Sequence, residues 1–148
     1  MNRLKSSRCQ LFLCGLVLSH WGFVACADAK TAQCLEFINV TQDVAQKTAD
    51  LSQDRTTTEP EEVLLVADEF SAAAERLNKL ELTDQGLVSY QQDFAQLYQD
   101  QATATRDFIK AYQAKELAGA RTAKEEINRL GATEQTLVGQ INTYCQNR

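Results

Sequence analysis

One proline and six glycines in 148 residues supply too few breakers for a chain of many strands and tight turns. Histidine, tryptophan and methionine occur once each, as His20, Trp21 and Met1. Positive charge is also short, with 15 Lys and Arg against 20 Asp and Glu and a formal charge of −5. That sign excludes nucleic acid as an expected partner, because such binding is dominated by neutralising phosphates. No GxxxxGK[ST] phosphate loop, GxGxxG turn or EF-hand loop is present. The longest unbroken apolar run, Leu11 to Leu18, has eight residues, against the roughly 20 that a spanning helix needs. The length allows one domain and not two.

The first segment differs from all that follows. Arg3, Lys5 and Arg8 form a positive head, the apolar run comes next, and the first acid is Asp28. This is the layout of a secretory signal peptide. Phe23-Val24-Ala25-Cys26 resembles a bacterial lipobox, in which cleavage precedes a cysteine that becomes lipid-modified. Ala25-Cys26-Ala27 also fits the small-x-small rule, with cleavage after Ala27 as the alternative. The lipobox resemblance implies several acyl chains on Cys26, hence a membrane partner reached through a lipid anchor. More than one chain is what stable anchoring needs. Ala27 in place of Asp after the cysteine resembles the enteric pattern for the outer membrane. Removing residues 1–25 leaves 12 bases and 20 acids, a charge of −8, and removes the only His, Trp and Met.

Export decides how the cysteines read. Cys9 and Cys14 leave with the signal, and Cys26 is lipidated or removed. Cys34 and Cys145 remain, and an even pair in an exported chain reads as a disulfide. Their spacing of 111 positions excludes a CxxC redox site.

Residues 31–148 carry helical periodicity, with 26–30 as a linker. Apolar positions recur at three and four in four stretches: Cys34 to Leu51, Val63 to Leu77, Leu87 to Tyr112, and Leu117 to Cys145. Thr58-Glu59-Pro60-Glu61 reads as a capping box with Pro60 in the first turn. Thr83 or Asp84 can cap the third stretch. No strong breaker divides the last two stretches, and similar helix lengths place the turn near Gln113–Glu116. The expected fold is all-α, an antiparallel up-down-up-down four-helix bundle closed by one disulfide. In that topology helix one starts where helix four ends, so Cys34 and Cys145 meet. A three-helix arrangement would hold them a bundle length apart.

One repeat stands out. Asp93-Phe94-x-x-x-Tyr98-Gln99 returns as Asp107-Phe108-x-x-x-Tyr112-Gln113, offset by two heptads and therefore on nearly one side of the helix. One reading makes the aromatics core and the acids a solvated flank. The other makes Asp93, Tyr98, Asp100, Asp107 and Tyr112 a strip for a protein partner, since tyrosine joins an apolar body to a polar tip.

Without histidine the mature chain has no Ser-His-Asp or Cys-His arrangement, no His-type zinc site and no Glu-x-x-His pair. Adjacent acids such as Glu61-Glu62 and Glu125-Glu126 point about 100° apart on a helix and do not converge. No catalytic residue, cofactor or metal is expected. The expectation is a non-enzymatic exported protein of the cell envelope, periplasmic or extracellular, serving as an interaction or structural module. A bundle holding a small ligand among Phe70, Phe94 and Phe108, and an exported enzyme inhibitor, are the alternatives.

Overall fold

The computed structural model describes the backbone of residues 21–53 and 59–147 and the side chains of 29–51 and 59–147. Among the described residues there are four helices and no strand: α1 (Trp21–Gln53), α2 (Pro60–Asn78), α3 (Gln85–Gln113) and α4 (Leu117–Gln146). Residues 1–20, most of the expected signal segment, lie outside the described residues, as do the side chain of Cys26 and all of Thr58. The stretch 26–30 that reads as a linker is helical and continuous with α1. Ala25, Ala27, Ala29 and Ala32 are strong helix formers, and no glycine or proline interrupts 23–53.

Each boundary has a local cause. Pro60 opens α2 as its first helical residue, where its missing N–H is one of the orphans. The N-cap falls on Glu59, whose side chain makes no capping bond. Asp84 caps α3, its carboxylate accepting from the Leu87 N–H at 3.0 Å. The turn between α3 and α4 is Ala114–Glu116, where equal helix lengths placed it. It is a Schellman closure: the Glu116 N–H donates to the Ala111 carbonyl at 2.9 Å and the Lys115 N–H to the Tyr112 carbonyl at 3.0 Å. Lys115 takes the left-handed conformation there, with φ 59°. Glycine normally holds this position, because a Cβ crowds the following carbonyl. Lys115→Gly is therefore expected to raise stability by about 0.5–1 kcal/mol in urea unfolding, and Lys115→Val to lower it.

The helices alternate in direction and form the antiparallel bundle expected. Helix α3 buries eleven residues against three for α4, which makes it the spine. It packs along α2 on one side and α4 on the other, and α1 lies along α2. Phe37 of α1 meets Phe94 of α3 edge-on at 5.3 Å, and Phe70 of α2 stacks on Tyr98 of α3 at 5.8 Å. Phe37, Phe94, Tyr98, Leu77 and Leu87 are fully buried, each worth roughly 1.5–3 kcal/mol of transfer free energy. The α2–α3 seam is alanine-rich (Ala67, Ala73 and Ala74 against Ala95 and Ala102), so these backbones approach closely.

Cys34 and Cys145 are joined, with Cα atoms 5.9 Å apart. The surrounding bonds gather all four helices at that end. Gln33 of α1 accepts from the Thr83 and Asp84 N–H groups at 2.7 and 3.1 Å, clasping the α2–α3 connection. Lys30 sits 4.0 Å from the Tyr144 ring centre and donates to the Asn147 carbonyl at 3.0 Å. Tyr144 donates its hydroxyl to the Asp84 carboxylate at 2.6 Å. Gly86 makes room for this, because a Cβ there would collide with the Tyr144 hydroxyl.

The Tyr144–Asp84 bond has a pH signature. It is the main reason the Asp84 carboxyl sits below its ordinary 3.8. The same bond, then burial and the carboxylate charge, pushes the Tyr144 phenol from 10.0 up to about 12. A lowered acid stabilises the fold above its unfolded value and loses that contribution as pH falls through the folded one. A raised phenol stabilises it below 10.0 and loses that contribution as pH rises toward about 12. Urea midpoints of wild type and Tyr144→Phe should therefore differ most near neutrality and converge at both extremes. A constant difference would contradict this account.

Candidate functional site

The repeat on α3 does not present one strip. Asp93, Asp107 and Tyr112 are exposed and Asp100 is half-buried, but Tyr98 is fully buried. Tyr98 is thereby removed from any partner-binding surface, and the two copies of the repeat divide between core and surface. Axial position explains the split. Helix α2 has 19 residues against 29 in α3. Tyr98 lies level with Phe70 of α2, whereas Tyr112 is one residue from the end of α3. Fourteen residues advance a helix by about 21 Å, enough to carry the second copy toward the tip. There Phe108 stacks on Tyr112 at 6.2 Å, and Tyr112 and Leu117 stay exposed.

Phe70, Phe94 and Phe108, the residues of the small-ligand alternative, do not come together on one pocket among the described residues. Phe94 belongs to the filled core, Phe108 turns to Tyr112, and Phe70 lines a different space. That space is a cleft of about 550 Å³ along α1 and α4, with α2 as its floor. Ala45, Thr48 and Ala49 form one wall, Gly131, Glu134, Gln135 and Val138 the other, and Val66 and Phe70 the base.

The sequence builds the cleft by omission. Helix α1 touches α4 sparsely, and Cys34–Cys145, Lys30–Asn147 and Lys30 over Tyr144 join them at the disulfide end. Further along, Ala45 and Ala49 face a wall that includes Gly131, and a Cβ added at Gly131 would meet nothing within 4 Å. Side chains of this size cannot close the seam.

Behind the lining lies a small polar group. Gln101 is buried and donates through Nε2 to Glu134 Oε2 at 3.0 Å. Gln101 Oε1 and the Tyr98 hydroxyl are buried without a hydrogen-bond partner. Burial chiefly, and then the Glu134 charge, push the Tyr98 phenol upward, so it stays protonated. The hydroxyl lies beside that carboxylate. Glu134 forms no ion pair among the described residues, whereas the acids of the α1–α2 seam are matched. Asp43 and Glu69 engage both Lys47 and Arg76 at 2.7–3.6 Å.

Nothing in the sequence marks Glu134 or Gln101. Each stands three or four positions from apolar residues of its helix (Leu97 and Tyr98 for Gln101, Leu130 and Val138 for Glu134), and only tertiary packing brings the two to one point. Among the described residues, no group of three or more His, Cys, Asp and Glu is placed to hold a metal ion. No described helix is long and apolar enough to cross a membrane. The chain matches no family model, no curated protein and no solved structure.

Proposed function

We propose that the chain is an exported, non-enzymatic module of the cell envelope, held at the membrane by lipid on Cys26 and acting through its helical body. The observation that carries this reading is the Cys34–Cys145 disulfide. Such bonds form and persist in oxidising compartments and are rare where thiols are kept reduced. The basic head, the apolar run and the residues before Cys26 supply the matching export signal. Two or more acyl chains on Cys26 would hold the protein stably. The absence of histidine after position 20 removes the usual general base and supports a binding or structural role.

Intact mass of the protein isolated from its membrane tests the reading. The expected species begins at Cys26, carries acyl chains and lacks the two hydrogens of a reduced pair. A chain beginning at Asp28 without lipid would mean free secretion and remove the anchor. Unprocessed Met1 in a cytosolic fraction would overturn the reading altogether. The cleft between α1 and α4 favours one other role, a carrier or sensor for a small ligand.

A further inference from the structure

We propose that the cleft between α1 and α4 binds a small organic cation, its ammonium group at Glu134 and its apolar body against Phe70. The volume of about 550 Å³ suits a small molecule. Apart from Glu134 and Gln135 its lining is small or apolar, and Gly131 and Ala49 leave the space open.

Charge chooses the sign of the ligand. The bases packed on α2 are engaged: Lys47 and Arg76 by Asp43 and Glu69, and Arg106 by Asp68. Glu134, partly buried in the wall, is the surplus carboxylate with no counter-charge among the described residues. A half-buried carboxylate gains from a cation brought out of water beside it, and an anion there would be repelled.

Hydrogen bonding chooses the donor character. Gln101 Nε2 is already spent on Glu134, which leaves Gln101 Oε1 beside that carboxylate, buried and without a donor. Gln101 Oε1 has no donor, and Glu134, which accepts from Gln101 Nε2, has no cationic donor among the described residues; a protonated amine, which only donates, suits both. A metal ion is the poorer match, since hard cations take six or more oxygens and Glu134 is the one carboxylate among the described lining residues. The Phe70 ring, stacked on Tyr98, supplies aromatic surface for the rest of the ligand.

The inference goes beyond the envelope-module reading and does not depend on it: failed binding would leave the lipidated mass unchanged, and a missing lipid would leave the cleft intact. The test is an NMR titration of the oxidised full chain with 2-phenylethylammonium, and with 2-phenylethanol as its neutral counterpart. The cation should shift the amides of Ala49, Gly131 and Glu134 saturably and bind at least about tenfold more tightly than the alcohol. Glu134→Gln should remove that preference, and Gly131→Leu should abolish binding while the far-ultraviolet circular dichroism stays helical. Equal binding of cation and alcohol would reduce the cleft to an apolar crevice. No saturable shift, or binding untouched by both variants, would overturn the proposal.

Discussion

Cys145→Ser is expected to lower the melting temperature by roughly 10–20 °C. The bond closes a loop whose ends are 111 positions apart. A cross-link over that span removes much of the freedom of the unfolded chain, by up to about 4.7 kcal/mol on the entropy model. A second contribution comes from the native state. Helix α1 meets α4 sparsely, and the disulfide is the covalent link of that seam. Without it, the contacts of Lys30 with Tyr144 and Asn147 still join the two helices at that end. Cys34→Ser should match Cys145→Ser, and the double variant should cost no more than either alone. Additive losses would show that the thiols act separately. An unchanged melting temperature would show that the seam holds without the bond.

The second large effect lies in the α3 repeat. Phe94→Ala is expected to cost about 3–5 kcal/mol, whereas Phe108→Ala should cost about 1 kcal/mol. Phe94 is fully buried, touching the rings of Phe37 at 5.3 Å and Tyr98 at 6.0 Å, and its loss leaves a cavity that three helices cannot close. Phe108 is half-buried and stacks on the exposed Tyr112, so water can reclaim its place. Urea unfolding of the two variants reads the difference directly. Equal losses would mean that both copies of the repeat are buried alike, contrary to the axial argument above.

These two cases show what periodicity carries and what it does not. The pairing of Cys34 with Cys145 was legible because parity, export and an even helix number converge on one answer. The turn at Ala114–Glu116 was legible from length alone, although no glycine or proline marks it and Lys115 takes the left-handed position. Asp84 was legible as a cap because a short acceptor stands just before an amphipathic run. The different fates of Tyr98 and Tyr112 were not. A heptad offset fixes angle around the helix but says nothing of how far the neighbouring helix extends. The helical state of 26–30 was hidden by treating a processing signal as a structural boundary, when an alanine-rich segment continues a helix readily.

The cleft was the least legible feature. It arises where Ala45, Ala49 and Gly131 come together across a seam. Small residues on a helix face look the same in sequence whether they allow close packing, as Ala67 and Ala74 do, or leave a space. Glu134 and Gln101, 33 positions apart, carry no shared motif and meet only through the α3–α4 packing.

Peptide mapping of the protein taken from its own cells, alkylated before any reduction, tests the compartment and the topology together. The account predicts one cross-linked peptide pair containing Cys34 and Cys145, with neither thiol alkylated. Recovery of both cysteines as alkylated peptides would contradict it. The bundle would then be unstapled in life, and export would lose the observation on which it rests.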